Sequence, residues 1–289
     1  MNKFLFFSIK RKVMRNIFLI IIIISFCPGI LFAQTRGEIV KIVTLIEDTK
    51  INEPKDIVAA HGLSLYIERN GQRILFDAGP SSQFIRNSET LGVDLKKIDI
   101  VIISHAHMDH LGGLASFLWT NKKANIYLSK KALKNQEFRA LCSKMDERTF
   151  NRIRFVDSST EIAQDVFILT EIEERYPIRD RVDHEIILVI KNNNKLIIVS
   201  GCSHGEILNI IGTVTRAFPN IYIKAVIGGF HLTGAPKHFV EQIGKEMLKY
   251  PIIKIYTCHC TGVENYRILK TILGVKIEYI STGSKIYLF

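Results

Sequence analysis

The stretch ISHAHMDHLGG, residues 103–113, places three histidines and one aspartate within six positions: His105, His107, Asp109 and His110. It overlaps IDIVIIS at 98–104, a short β-branched run that predicts a buried strand. Neutral imidazole and carboxylate groups are the usual ligands of zinc and similar metals. Because side chains two positions apart in an extended segment point to the same side, His105 and His107 are predicted to face one metal. Asp109 and His110 then turn toward a second position as a helix begins.

Strands and helices alternate on both sides of this motif. Gly112 and Gly113 remove side-chain bulk where the following helix must approach the sheet. Upstream, the sequence predicts a strand at 37–46 and a hairpin of strands 62–68 and 72–76 joined by Asn70-Gly71. Downstream, it predicts an exposed helical stretch at 130–150, a charged loop at 171–183, a hairpin at 185–201 turning at Asn192-Asn193-Asn194, and helices at 205–217, 237–249 and 263–273. One α/β domain of two sheets covered by helices fits this order.

The composition is that of a globular protein. Among 289 residues, 47% are hydrophobic and 23% are charged, so a sizeable core can be buried. Residues 1–33 hold five basic residues and no acids, which leaves +6 of the total charge of +11 on residues 34–289. This spread, mild basicity favours a small anionic substrate. No basic stripe interleaved with aromatic residues is present, which argues against nucleic-acid binding.

The N-terminal segment has the order of a secretory signal. A basic cluster at 10–15 precedes the apolar run IFLIIIIISF at 17–26, and Ala33 stands at the expected cleavage point. We therefore predict a signal peptide at 1–33 and a mature domain at 34–289 that is periplasmic or secreted, with no membrane span after cleavage. The alternatives are an uncleaved anchor, for which the apolar run is short of the roughly 20 residues needed, and a lipoprotein attached at Cys27.

HAHMDH at 105–110 matches the HxHxDH signature of the metallo-β-lactamase superfamily, and LFDAG at 75–79 resembles the segment just upstream of that signature. The resemblance extends over residues 37–289. It implies an αββα sandwich in which two mixed β-sheets are covered by helices. It also implies that His105 and His107 bind a first metal, that Asp109 and His110 bind a second, and that Asp77 orients the metal loop from a buried position.

The remaining ligands depart from the family pattern. In KLIIVSGCSH, residues 195–204, Cys202 stands where the family has a bridging aspartate, and His204 follows two positions later. A thiolate is a competent zinc ligand, so Cys202 and His204 are both candidates, with a buried structural cysteine as the alternative for Cys202. KIYTCHCTG at 254–262 resembles the last family motif and makes His259 a ligand. Thr261 and Gly262 then open a helix whose free N–H groups are predicted to hold an anionic substrate group.

Three further histidines are weaker candidates. His184, in VDHEIILVI, stands near the position of the family's third histidine, but we interpret it as a solvated loop residue. His231, in GGFHL, either lines the pocket as a catalytic proton donor or packs in the core. His61, in HGLSL, is a candidate for substrate binding on similar grounds.

HGLSL, SGCSH, GGFHL and CHCTG together resemble one branch of the superfamily, whose members are described as dihydropterin–ribofuranosylaminobenzene-phosphate synthases or only as metal-dependent hydrolases. The resemblance implies an enzyme with one or two Zn²⁺ ions, Mn²⁺ or Fe also suiting oxygen and imidazole ligands. We expect hydrolysis of a small anionic ester, phosphoester or amide, with Asp109 orienting the attacking water and His231 protonating the leaving group. The alternatives are a transferase or synthase acting on a phosphorylated pterin or sugar-like substrate, a non-catalytic metal- or ligand-binding protein, and a true β-lactamase.

Overall fold

The computed structural model of the protein describes residues 39–289, so the predicted signal peptide and its cleavage point lie outside the described residues. The strands of the first sheet are β1 (Val40–Ile46), β2 (Ser64–Arg69), β3 (Gln72–Phe76), β4 (Ile100–Ile102), β5 (Asn125–Ser129), β6 (Ile153–Val156) and β14 (Lys285–Leu288). They are hydrogen-bonded in the order β14-β1-β2-β3-β4-β5-β6. From β3 to β6 neighbouring strands are parallel, whereas the pairings from β14 to β3 are antiparallel.

The second sheet repeats this mixed arrangement. Its strands are β7 (Thr160–Ala163), β8 (Val166–Leu169), β9 (Ile187–Asn192), β10 (Lys195–Ser200), β11 (Tyr222–Gly228), β12 (Ile252–Thr257) and β13 (Ile277–Tyr279), in the order β13-β12-β11-β10-β9-β8-β7. From β10 to β13 the strands are parallel. The sequence reading missed β7, because this edge strand is short and none of its residues is fully buried.

Both predicted hairpins are present, and the second turn consists of Asn193 and Asn194 alone, because Asn192 belongs to β9. Arg69 pairs with Gln72 across Asn70 and Gly71, whose φ angles are 52° and 77°. In the second sheet, Asn192 pairs with Lys195 in the same way. A two-residue hairpin turn of this kind requires positive φ at both central positions, which Gly and Asn adopt more readily than other residues.

The helices flank the two sheets. They are α1 (Gln83–Thr90), α2 (Met108–Leu111), α3 (Leu114–Thr120), α4 (Gln136–Cys142), α5 (Glu147–Phe150), α6 (Ile207–Ala217), α7 (Lys237–Met247) and α8 (Val263–Leu273). The predicted helical stretch at 130–150 is divided into a 3-10 turn, α4 and α5, because Asn135 and Asp146 cap new helix starts with their side chains. Within residues 39–289 no helix is long and apolar enough to cross a membrane.

Three apolar layers hold the elements together. One lies between helices α1–α4 and the first sheet, one lies between the two sheets, and one lies between the second sheet and the last three helices. This is the predicted αββα sandwich. Gly113 is required at the first helix–sheet contact, since a Cβ there would lie 2.1 Å from the carbonyl oxygen of Ala78.

The parallel strands bring the motifs to one edge of the sandwich. Asp77 directly follows β3, and the HAHMDH loop begins three residues after β4. In the second sheet, SGCSH follows β10, GGFHL follows β11 and CHCTG follows β12. Because the carboxyl ends of neighbouring parallel strands meet at the same edge of a sheet, segments distant in the sequence converge on one site.

Candidate metal centre

The HAHMDH loop is held in place by the buried carboxylate of Asp77. Its oxygens accept hydrogen bonds from the backbone N–H and the hydroxyl of Ser104 at 2.6 and 2.7 Å. The same carboxylate lies 2.7 Å from Nδ1 of His110. With Nδ1 donating to Asp77, Nε2 of His110 is left with its lone pair available to a metal. Asp77 therefore has the orienting position that the sequence comparison implied.

His105, Cys202 and His204 form a first cluster of ligand atoms. These atoms all lie within 4.8 Å of one another. His107 is beside them, with Nδ1 3.1 Å from Nε2 of His105. Nδ1 of His204 lies 3.1 Å from the carbonyl oxygen of Asp180, to which it donates, so Nε2 of His204 is free to bind a metal.

A second cluster shares the same thiol. Ligand atoms of His110, Cys202 and His259 also lie within 4.8 Å of one another, and Sγ of Cys202 is 3.2 Å from Nε2 of His110. Oδ2 of Asp109 lies 3.5 Å from Nε2 of His110 and 3.2 Å from Nε2 of His259. Cys202 thus stands between two groups of histidines, where one thiolate can serve both.

Two acidic residues hold His259 in place. Neither was identified from the sequence. Glu47, fully buried, accepts a hydrogen bond from the backbone N–H of His259 at 2.7 Å, and Asp48 lies 2.8 Å from its Nδ1. Burial disfavours the charged imidazole, but Asp109 and Asp48 outweigh that effect and raise the pKa of His259 to about 10. The residue has a φ of 48°, so these contacts hold an uncommon backbone conformation.

A third buried acid, Glu185, holds the segment that carries Cys202 and His204. Its carboxylate accepts hydrogen bonds from the backbone N–H groups of Cys202 at 3.2 Å, Ser203 at 2.7 Å and Gly205 at 3.2 Å. Burial raises the pKa of Glu185 to about 7 in spite of these three donors. The sequence reading also missed this residue.

The donor set fits a metal. Burial and the neighbouring histidines hold the pKa of His105 well below its usual range, and burial with His231 lowers that of His204 to about 4. Both imidazoles are therefore neutral at pH 7, the form that binds metals. Among the described residues, the buried Nε2 atom of His204 has no hydrogen-bond partner. Buried polar atoms without partners are rare, and a bound cation would satisfy this one. His259 is protonated at pH 7 and faces Asp109, so it would bind a cation by giving up that proton.

His231 lies at the rim of this centre. Its ring centroid lies 4.4 Å from that of His204 with the ring planes tilted by 42°, and Nε2 lies 3.2 Å from Oδ2 of Asp180, in the loop at 171–183. The imidazole is partly exposed, with 32% of its side chain accessible. This location allows contact with a substrate, which a packed core histidine would not allow.

The other candidate histidines occupy different surroundings. His61 is exposed over the second cluster, 3.0 Å from Oδ2 of Asp48 and 3.6 Å from Oδ2 of Asp109. His184 was expected to be solvated, and this expectation is wrong. Its side chain is 14% exposed, and burial lowers its pKa.

The anion site predicted at the first N–H groups of α8 stays a prediction, but Thr261 and Gly262 offer it no free backbone donors. The N–H groups of Thr261 and Gly262 donate to the carbonyl oxygens of Cys258 and His259 at 3.1 and 2.9 Å. The hydroxyl of Thr261 is buried against Thr257 and the N–H of Phe230. Thr261 and Gly262 thus shape the segment around His259.

Comparisons with known proteins agree with this site. A sequence profile of the Metallo-beta-lactamase superfamily matches residues 58–208, which include the HAHMDH motif and SGCSH. The 7,8-dihydropterin-6-methyl-4-(beta-D-ribofuranosyl)-aminobenzene-5'-phosphate synthase of Methanocaldococcus jannaschii is 32% identical in an alignment that covers 77% of this chain and 88% of that protein.

Solved structures show the same architecture. Tm1679, described as a metal-dependent hydrolase of the beta-lactamase superfamily, superposes with a TM-score of 0.70 at 28% identity, covering 86% of this chain and 98% of its own. The short form of human tRNase Z has a TM-score of 0.54 at 13% identity, covering 86% and 99% of the two chains. That second likeness concerns the fold alone.

Proposed function

The chain belongs to the metallo-beta-lactamase superfamily, and we propose that it is a metal-dependent hydrolase whose two metal positions share the thiolate of Cys202. The proposal rests on one observation. Sγ of Cys202 lies within 4.8 Å of ligand atoms from His105 and His204 on one side and from His110 and His259 on the other. Imidazole and thiolate donors favour zinc, and Mn²⁺ or Fe are the alternatives.

The protein's own groups divide the work of hydrolysis. Divalent ions bound at this centre would lower the pKa of a water molecule toward 7 and polarise the scissile group. Asp109, between His110 and His259, would accept a hydrogen bond from the attacking water and orient it. His231 would donate a proton to the leaving group, and Asp180 would hold its ring.

A cavity beside the first cluster supports a small substrate. Its volume is about 250 Å³, and His204 and Glu185 are among the residues that line it. Lys131 and Arg181 are the two cations in its wall. Arg181 is paired with Glu174, whereas Lys131 has no ion-pair partner among residues 39–289. The wall also carries the carboxylates of Glu171, Glu174 and Asp183, so the cavity fits a small ester, phosphoester or amide, and the preference for an anionic group rests on the mild basicity of the domain.

The test is a panel of chromogenic carboxylic esters, phosphomonoesters, phosphodiesters and amides, assayed with zinc-loaded and chelator-treated protein. We expect turnover of at least one class, loss of turnover after chelation and recovery on adding zinc. His231→Ala should keep its metal but lose 100-fold or more in kcat, on the order of a general acid's contribution. Metal binding without turnover of any class would instead support the non-catalytic, ligand-binding function.

A synthase activity is the second candidate, and the 32% identity to the Methanocaldococcus jannaschii synthase favours it. It would use the same centre for transfer to an acceptor other than water. Mass spectrometry after incubation with a phosphorylated dihydropterin donor and a ribofuranosyl-aminobenzene 5'-phosphate acceptor distinguishes the two, because transfer of the pterin group to the acceptor releases the donor's phosphate as the leaving group. A new adduct with no hydrolysis product would replace the hydrolase proposal.

We also propose that the protein is exported, because residues 1–33 have the order of a secretory signal. N-terminal sequencing of the protein from fractionated cells tests this. A mature chain beginning at Gln34 outside the cytoplasm is expected. An intact N-terminus confined to the cytoplasm would contradict it.

A further inference from the structure

A second thiol lies next to the shared ligand. Sγ of Cys260 and Sγ of Cys202 are within 4.8 Å of each other, together with a ring nitrogen of His231. Sγ of Cys260 also lies 3.5 Å from the carbonyl oxygen of Cys202. The metal-centre account gives Cys260 no role, although His259 immediately before it is a proposed ligand.

The fold holds Cys260 in this position. Its carbonyl oxygen accepts hydrogen bonds from the N–H groups of Leu232 and Thr233 at 3.0 and 2.9 Å, and its sulfur accepts one from the N–H of His231 at 3.3 Å. The segment after β11 therefore fixes both the backbone and the thiol of Cys260.

Glycine at position 229 makes the approach of the two thiols sterically feasible. The N–H of Gly229 donates to the carbonyl oxygen of Gly201 at 3.1 Å, so this residue lies against the segment that carries Cys202. A Cβ at position 229 would lie 2.4 Å from Sγ of Cys260 and 3.5 Å from Cα of Cys202. Any side chain there would displace the sulfur, because real Cβ contacts are not this short.

We propose that Cys202 and Cys260 form an oxidative modification site that closes as a disulfide when a disulfide oxidant such as oxidised glutathione is present. One thiolate attacks the oxidant and releases one molecule of reduced glutathione. The second thiolate then attacks the mixed disulfide and releases another, so two thiols are oxidised and one oxidant molecule is reduced. The sulfur atoms must move from a separation of at most 4.8 Å to the roughly 2 Å of a disulfide bond.

The modification has a consequence for the metal centre, which rests on the proposed function. Cys202 is the ligand common to both clusters, and a disulfide sulfur is not a thiolate. Oxidation therefore removes one ligand from both metal positions at once. Metal binding and disulfide formation compete for the sulfur of Cys202. Bound metal must therefore protect Cys202 and Cys260 from oxidation by the same factor by which the disulfide weakens metal binding.

The remaining described cysteines serve as internal controls. Cys258 is fully buried in the layer between the sheets, and Cys142 lies at the end of α4. Neither belongs to a cluster of metal-ligating side chains among residues 39–289. If the modification is specific, Cys258 and Cys142 should stay reduced under the conditions that join Cys202 to Cys260.

The experiment treats chelator-stripped protein with oxidised glutathione and maps the peptides without reduction by mass spectrometry. We expect a linked Cys202–Cys260 peptide pair, zinc binding weakened at least 10-fold, and recovery with dithiothreitol. Zinc-loaded protein should form the link at least 10-fold more slowly. Cys260→Ser should bind zinc like the wild type but resist the oxidant, whereas Cys142→Ser should respond as the wild type does.

Stable glutathione adducts without a linked pair, a link to Cys258, or equal oxidant sensitivity of Cys260→Ser would overturn the proposal. The two proposals fail separately. A linked pair in a protein that never binds metal would leave the modification site intact and refute the hydrolase function. Two bound metals without a Cys202–Cys260 link would support the metal centre of the proposed hydrolase and refute the modification site.

Discussion

Sγ of Cys202, two residues after β10 of the second sheet, lies 3.2 Å from Nε2 of His110, in the metal motif that follows β4 of the first sheet. This contact joins the two halves of the sandwich at the edge where their parallel strands end. Neither sheet alone carries a complete ligand set. The metal centre is therefore a product of the packing of the two sheets as well as of the HAHMDH motif.

Asp77→Asn tests how the metal loop is oriented. The two carboxylate oxygens of Asp77 together accept three hydrogen bonds from Ser104 and His110. The amide keeps the shape of the side chain but loses its charge and replaces one of these oxygens by an NH₂ group. Loss of an orienting carboxylate typically weakens metal affinity by about 10- to 100-fold. Competition with a chromogenic chelator measures this change. Asp99→Asn, a partly exposed carboxylate at the start of β4, should leave zinc affinity at the wild-type value.

Glu185→Ala tests the buried anchor of the SGCSH segment. Three backbone N–H groups would lose their acceptor inside the protein. Unsatisfied buried donors cost about 1–3 kcal/mol each, partly relieved by relaxation, so we expect a loss of about 2–4 kcal/mol in the free energy of unfolding. Urea denaturation of metal-free protein measures it. Glu185→Gln should lose less, and exposed Glu137→Ala should change stability by under about 0.5 kcal/mol. A wild-type midpoint for Glu185→Ala would contradict the anchoring role.

Gly113→Ala tests the close approach of α3 to the first sheet. The new Cβ would lie 2.1 Å from the carbonyl oxygen of Ala78 and 2.7 Å from the ring of Phe84. Overpacking of this kind costs about 1–3 kcal/mol, and backbone has little freedom to move away. Thermal unfolding should show a clear decrease in Tm. Ala115→Ser, on the exposed side of the same helix, should keep the wild-type Tm. Equal Tm values for the two variants would refute the steric argument.

His204→Ala and His184→Ala distinguish two candidates for the first metal position. His204 belongs to the cluster with His105 and Cys202, whereas His184 belongs to none of the clusters found among residues 39–289. Elemental analysis should find about one metal equivalent fewer in His204→Ala and no loss in His184→Ala. The reverse pattern would assign the position to His184.

The sequence predicted the fold well because its signals are local. Asn70-Gly71 and the triple asparagine at 192–194 specify tight turns, and β-branched runs such as IDIVIIS specify buried strands. The division of 130–150 into short helices was missed, since it depends on where Asn135 and Asp146 cap new helix starts.

The acids that hold the ligands were not predictable in the same way. Glu47 stands 212 positions before His259, whose N–H it binds, and no spacing rule connects them. A single glutamate after an apolar strand usually faces solvent. The only sequence signal for these acids is their place directly beside a strongly apolar run. Glu47 follows VKIVTLI, and Glu185 precedes IILVI. Their roles follow from the packing of one sheet on the other.

The most direct test of the central claim is the number of metal ions bound to purified wild-type protein and to Cys202→Ala after reconstitution with zinc. If Cys202 is shared by both positions, elemental analysis should give about two equivalents for the wild type and at most one for Cys202→Ala, with Cys142→Ala unchanged. No bound metal in the wild type, or two equivalents retained by a folded Cys202→Ala, would contradict the account.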